Sequence, residues 1–288
     1  MLGIIGIVVV MAMVFGGYTL AGGKFGVIMK ALPFEMMMIG GAAAGSFMIA
    51  NKGEVVKSSL GGIKKVFGKP KWNAQDYQDL ICLLFAVLKL VRSKGMIALE
   101  QHVENPDQSN IFGQYPKIMK DHFAIDFICD TLRMMTMNFD DPHQVEDMME
   151  QALEKHHHEV HEGIHAMQTV ADGLPALGIV AAVLGVIKTM SSINEPVEIL
   201  GKMIGGALTG TFLGVFLAYC FVGPFASKMG QVADTEHTFY LVIKAVLVSH
   251  LHGNAPQISA EIGRTNVPTK MQPSFKDMEG ILSSVNVG

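Results

Sequence analysis

The sequence has too few cysteines for a disulfide framework. Cys82, Cys129 and Cys220 are odd in number, scattered, and never closely spaced, which also argues against a cysteine zinc site. Reduced thiols, in cytosol and membrane, are expected. An excess of positive charge is also absent: the formal net charge is −4, and nothing points to a nucleic-acid partner. No Lys or Arg precedes the uncharged run Leu2–Leu20. The basic n-region and small-residue cleavage site of a signal peptide are therefore missing, and the run is expected to be a retained first membrane helix. What the chain has instead is apolar bulk. Half its residues are hydrophobic, with 21 Met, and its mean hydropathy is +0.35. That composition suits a membrane protein with a sizeable soluble part.

The stretch Asp172–Pro224 predicts two membrane-spanning helices joined by a short loop. The first covers 174–190. The second runs from about Met203 to Val222 and is expected to stop at Gly223-Pro224. Each has roughly the ~20 apolar residues needed to cross a ~30 Å hydrocarbon core. Gly206, Gly210, Gly214 and Ala218 recur at steps of four in the second, and Gly178, Ala181, Ala182 and Gly185 form a similar stripe in the first. Such stripes let another backbone approach closely, so close helix neighbours are expected beyond the general frequency of Gly in membrane helices. A further span, Phe34–Ala50, is expected to open at Pro33 after a loop beginning at Gly22. It carries Gly41 and Gly45, and Glu35 at its start, near one membrane face.

Lys52, Lys57, Lys64, Lys65, Lys69 and Lys71 crowd the flank after that span. By the positive-inside rule this flank is cytoplasmic, although Lys24 and Lys30 in the preceding loop weaken the contrast. The N-terminus is then inside, the loop near Lys24 outside, the middle region inside, and the loop Ser191–Glu198, with two acids and no base, outside. In the middle region Asn73-Ala74-Gln75-Asp76 reads as a variant capping box. Tyr77, Leu80, Ile81, Leu84, Val87, Leu88 and Val91 follow at helical spacing. Further helices are expected to end near Gly95, then over Met96–Glu104, Tyr115–Met137 and Pro142–Met167. No stretch alternates as a strand would. The expected fold is an all-α membrane protein with four transmembrane helices. Its domains would be transmembrane helices 1 and 2 over 1–52, a cytoplasmic helical domain over 53–171, transmembrane helices 3 and 4 over 172–225, and a cytoplasmic C-terminal helix and tail over 226–288. Glu236–His250 reads as a continuation of the last helix, and the final residues are expected to be mobile.

Within the spans ionisable residues are scarce. Glu35, Asp172, Lys188 and Lys202 are placed near ends, where long side chains can snorkel, and no acid is expected deep. Proton or sodium pathways normally need an intramembrane carboxylate. The hydroxyls of Thr189, Thr209 and Thr211 could line a route, but they cannot bind and release a proton near neutral pH. Either the chain moves no ions or a partner helix supplies the acid. Pro175 and Pro224 mark the ends of the hairpin, as helix boundaries or as hinges. His161-Glu162-x-x-His165 matches the zinc-protease pattern, but the third ligand that zinc needs is lacking. The histidine-rich run His156–His165 therefore reads as a solvated helix face. A metal site at His157, His161 and His165, four apart on one face, has no further support.

Several motifs occur in a fixed order along nearly the whole chain. They are Phe15-Gly16-Gly17-Tyr18, Arg92-Ser93-Lys94-Gly95-Met96 leading to Leu99-Glu100, Glu104-Asn105-Pro106, Asp126-Phe127-Ile128, the run Leu174–Gly185, Gly210-Thr211-Phe212-Leu213-Gly214, and Pro273-Ser274-Phe275. In these the chain resembles motility protein A (MotA), the stator subunit family of the bacterial flagellar motor, in the MotA/TolQ/ExbB proton-channel superfamily. The histidine cluster is not part of that pattern. The resemblance implies a ring of such subunits around two copies of a MotB-type partner that carries the membrane Asp. It implies an ion flow that drives rotation against the rotor protein FliG, in the bacterial inner membrane, with no enzymatic activity and no cofactor. It matches Arg92 and Glu100, with Lys94 beside them, to the rotor contact. It matches Pro175 and Pro224 to the coupling of ion flow to movement, and Thr211 to the hydroxyl beside the partner's Asp. Sodium-driven relatives tend to carry Thr where this chain has Ala182, whose methyl cannot ligate sodium, so protons are the expected ion. The alternative is a ring subunit of the ExbB/TolQ type, which energises outer-membrane transport, typically with three spans. A membrane metalloprotease using His161, Glu162 and His165 is a third, weaker reading.

Overall fold

The computed structural model describes residues 2–137 and 141–285. The last positions of the tail, 286–288, for which mobility was expected, lie outside the described residues. Among the described residues every regular element is helical, as the absence of alternating patterns predicts. The chain forms two compact units: Met1–Lys69 with Glu159–Val232, and Pro70–His158 with Ala233–Gly288. Among the described residues four helices are long and apolar enough to cross a membrane.

The first unit begins with α1 (Leu2–Leu20), none of whose residues is buried within the chain. A helix apolar all round suits a lipid surround. A turn through Gly22, at φ 85°, uses the left-handed region that glycine adopts without strain. Then α2 runs Phe25–Ala50 with Pro33 inside it. This corrects the expectation that Pro33 opens the span and that Lys30 lies in a loop. Residues 25–32 are apolar apart from Lys30 and helix-competent, and a proline removes only one hydrogen bond, which neighbouring helices in a membrane protein tolerate. Glu35 therefore lies in the interior of α2, not at its start.

Next comes α3 (Gly53–Val66), which the sequence reading missed. It is held to the first unit by the Ser59 hydroxyl, which donates to the Gly163 carbonyl at 2.9 Å. The unit's next helix is the later part of α8 (Pro142–Met190), which is unbroken over 49 residues with Pro175 inside. The expected separation into Pro142–Met167 and a span from Leu174 does not occur. The other long helix is α9 (Val197–Leu217), followed by a π-helical turn, Ala218–Val222, and by α10 (Gly223–Leu251). Pro224 has no N–H for the carbonyl of Cys220. At the residue just before it the Gly223 N–H bonds back to the Ala218 carbonyl, the wider register of a π-bulge. That turn absorbs the proline, so the helix does not stop at Gly223-Pro224 as expected, and Glu236–His250 continues it. Ile39 and Ala43 of α2, Leu174 and Ala181 of α8, Leu213 of α9 and Ala218 form the unit's core.

The second unit is built around α4 (Ala74–Lys94), whose residues Leu80–Leu88 are all buried. Its start is the expected capping box. The Asn73 side chain accepts from the Gln75 and Asp76 N–H groups at 2.8 and 3.2 Å, and the Asp76 carboxylate accepts from the Asn73 N–H at 2.7 Å. Gly95, at φ 80°, ends it, and α5 (Met96–Glu104) follows as expected. The helix expected over Tyr115–Met137 is two, α6 (Pro116–Met119) and α7 (His122–Thr136). The break falls at Asp121, whose carboxylate caps α7 by accepting from the Ala124 N–H at 3.3 Å. It also accepts from the Tyr240 hydroxyl at 2.9 Å and pairs with Lys71 at 2.9 Å. The tail adds α11 (Pro256–Asn266) and α12 (Phe275–Ser283), neither anticipated. Burial, with the Asp79 charge adding, pushes the Cys82 thiol up to about 12; burial likewise holds Cys129 at about 12. Both are therefore poor thiolates.

Trp72, the sole tryptophan, stacks on Phe239 at 3.8 Å between ring centroids, in the same core as Tyr240. Tyr240→Phe removes a buried hydrogen bond to a carboxylate. It is expected to destabilise this unit by about 2 kcal/mol, read as a lower urea midpoint of Trp72 fluorescence in the purified full chain. An unchanged midpoint contradicts the bond's role.

Candidate functional site

In the first unit α8 and α9 meet at a seam of backbone against backbone. A Cβ on Gly178 would lie 2.8 Å from the Gly210 carbonyl oxygen and 3.0 Å from Gly214 Cα. One on Gly214 would lie 2.6 Å from the Leu174 carbonyl oxygen and 2.8 Å from Gly178 Cα. Gly185 faces Ala207, whose Cβ would be 2.7 Å away, and Gly210 faces the Ala181 Cβ and the Ala182 N–H, both at 3.2 Å. Gly206 belongs to a different contact. It looks toward Ala31 of α2 at 3.8 Å, so the stripe read from the sequence serves two neighbours.

The prolines flank this seam. Pro175 follows Leu174, whose carbonyl abuts Gly214, and Pro224 is exposed beyond the π turn. Thr209 is buried and its hydroxyl donates to the Gly205 carbonyl at 2.9 Å; Thr189 does the same to Gly185 at 2.9 Å. Both hydroxyls are thus engaged within their own helices. Thr211 is half-buried and, among the described residues, makes no hydrogen bond, so its hydroxyl can serve another chain. Ala182 is half-buried in the same seam.

The largest departure concerns Glu35. It is 5% exposed, buried against the helices that neighbour α2. A Cβ on Gly210 would lie 2.5 Å from its Oε2, so the carboxyl occupies the space that the missing side chain leaves. Its Oε2 has no hydrogen-bond partner. The burial of this carboxyl within the chain was not anticipated. Glu35, Ile39 and Ala43 are the buried residues of α2, spaced by four along one face. Had the helix been carried through Pro33, that spacing would have signalled the burial. A cavity of about 670 Å³ opens beside Glu35 between α2, α8 and α9.

In the second unit the charged residues are presented differently. Arg92 and Lys94 end α4, Glu100 lies in α5, and all three are exposed. Arg133 is held by Glu104 at 2.7 Å and Asp130 at 2.6 Å, and Arg264 by Glu261 at 2.6 Å. Among the described residues Arg92 and Glu100 pair with no opposite charge, including each other. Neighbouring imidazoles respond to the positive side of this edge. Burial holds His250 below its ordinary range, with the Arg92 charge adding, and burial lowers His102 with Lys94 adding.

Part of the histidine run has a packing role. His156 stacks on Phe123 at 3.7 Å. His157 lies 4.6 Å from His237, whose imidazole is lowered chiefly by burial. Gly163, inside the protease-like pattern, packs against α3. A Cβ there would lie 2.7 Å from the Ser58 hydroxyl.

Residues 4–95 match the family Motility protein A N-terminal, and residues 120–240 match the MotA/TolQ/ExbB proton channel family. The chain is 37% identical to Motility protein A of Salmonella typhimurium over 97% of this chain and 94% of that one. It is 36% identical to Chemotaxis protein LafT of Vibrio parahaemolyticus over 96% of each. Its fold is similar to that in the solved structures of C. jejuni MotAB and the Bacillus subtilis flagellar MotAB stator complex. The TM-scores are 0.72 and 0.71, at 20% and 23% identity, covering 93% of this chain and 95% and 96% of those chains.

Proposed function

The chain belongs to the motility protein A family, within the MotA/TolQ/ExbB proton channel family, and from that membership we propose how it acts as a stator subunit of the bacterial flagellar motor. Copies of the chain surround a MotB-type partner in the bacterial inner membrane, with both termini cytoplasmic, and the apolar faces of α1 and α2 meet lipid. The partner supplies an Asp beside Thr211. Protons are the coupling ion, since the Ala182 methyl offers sodium no ligand.

The observation that carries the mechanical part is that Pro175 and Pro224 lie inside helices that run on past them. A proline in a continuous helix leaves a carbonyl unpaired and a natural bending point. When a proton neutralises the partner's Asp, the attraction of that charge for its surroundings falls. The closely packed seam at Gly178 and Gly214 then passes the change to the helix segments beside the two prolines. Arg92, Lys94 and Glu100 register a transient contact with FliG, a task for which exposed charges suit because they steer without strong net affinity. The work is conduction and torque, with no bond chemistry and no cofactor. An ExbB/TolQ-type role is less supported, since four helices can span and the relatives named above are motility and chemotaxis proteins.

In liposomes carrying a proton gradient, the chain with its MotB-type partner should conduct, and the chain with a partner whose Asp is replaced by Asn should not. Conduction that survives the loss of that Asp contradicts the reading.

A further inference from the structure

We propose that Glu35 is a proton-binding group of this chain itself, loaded from the cavity between α2, α8 and α9 and seated against the glycine step at Gly210. Its carboxyl is buried, and one oxygen, Oε2, is enclosed and unpartnered. Leaving such an oxygen as part of an anion away from water is costly. Addition of one proton, carboxylate plus H⁺ giving carboxylic acid, removes that charge with no other reactant. Gly210 makes the seat, because a Cβ there would stand 2.5 Å from Oε2. An ionisable group buried inside a span is by default a functional group rather than a packing one.

The cavity indicates which ion reaches it. About 670 Å³ of space is lined by Glu35 together with Lys24, Lys30, Lys188, Lys202 and Thr189, among apolar residues. The charged groups facing the carboxyl's cavity are thus Lys24 and Lys30 from α2 and the turn before it, Lys188 from α8 and Lys202 from α9. Among the described residues no second acid lines it. Lysine ammoniums repel a metal cation; they also favour the ionised carboxyl, against which the enclosure of Oε2 favours the acid, and a proton, unlike a metal ion, passes from water to water by exchange. The group is therefore a proton station and not a sodium site. It adds to the partner's Asp a second carboxyl on the chain's own helices.

This inference rests on the reading of the chain as ion-conducting, and its test separates the two. The stator complex in native membranes is treated with dicyclohexylcarbodiimide, which couples to protonated carboxyls in apolar surroundings, and Glu35 is followed by peptide mass mapping. The expected result is an adduct at Glu35 that declines about tenfold per pH unit above the group's titration point. No adduct at any pH, under conditions that label the partner's Asp, overturns the proposal, and so does an adduct independent of pH. Labelling with no conduction in liposomes would uphold the site and count against the stator mechanism alone. In swimming cells Glu35→Gln should flatten the dependence of speed on external pH, while Glu35→Asp should keep it. A Glu35→Gln motor with the unaltered pH profile overturns the proposal, and labelling of the unaltered complex decides the matter if that variant fails to assemble.

Discussion

Gly214→Ala is expected to abolish swimming and to reduce the amount of intact stator complex recovered from membranes, although it adds only a methyl group. The new Cβ would stand 2.6 Å from the Leu174 carbonyl oxygen and 2.8 Å from Gly178 Cα, where contact without strain begins near 3.4 Å. Both obstacles are backbone, so no rotamer change relieves them. The helices must separate by roughly half an ångström or more, at a cost of about 1–3 kcal/mol for overpacking, and the loss is repeated in each subunit of a ring. Gly206→Ala is the matched control, because its Cβ would meet only Ala31 at 3.8 Å, an ordinary contact. Soft-agar spreading and complex yield after detergent extraction measure both. If Gly214→Ala behaves like Gly206→Ala, the seam is not the tight element described above.

Arg92→Glu is expected to reduce motility more than tenfold while leaving membrane levels and melting temperature unchanged. The side chain is exposed and, among the described residues, pairs with no carboxylate, so its replacement removes little that holds the fold and should change stability by about 0.5 kcal/mol or less. A reversed charge at a transient interface opposes encounter and register. Glu100→Arg should act likewise. Because the two residues are not paired with each other, the double reversal is expected to remain defective with the unaltered rotor protein. It should recover only with reversed charges on that partner. Recovery of the double variant by itself would mean that the pair acts inside this chain, against the assignment of a rotor contact.

How much of this was legible in the sequence depends on how local each signal is. The limits of α1, the reciprocal cap at Asn73 and Asp76, the stop at Gly95 and the short helix Met96–Glu104 are set within a few residues, by hydropathy or by a cap, and are read correctly. The prolines are misread because their effect is not local. Pro33 and Pro175 are carried inside helices whose neighbours hold them, and Pro224 is accommodated by a π turn beginning six residues earlier. The unforeseen burial of Glu35 follows from the first of these, since a span opened at Pro33 puts the carboxyl at a helix start. The division of Tyr115–Met137 is decided by Asp121, whose carboxylate serves Ala124, Lys71 and Tyr240 at once. Two of those partners are distant in sequence. The helices α11 and α12 are short and depend on tertiary contact. Gly263 of α11, for one, packs directly against Val246.

The central claim is that this chain turns a proton flow into rotation. Its most direct test is the swimming speed of cells whose only stator contains this chain, with a matched partner and rotor, measured first without sodium and then with the proton gradient collapsed. Speed that persists without sodium and disappears with the proton gradient is the predicted result. Speed that disappears on removal of sodium alone would contradict the claim.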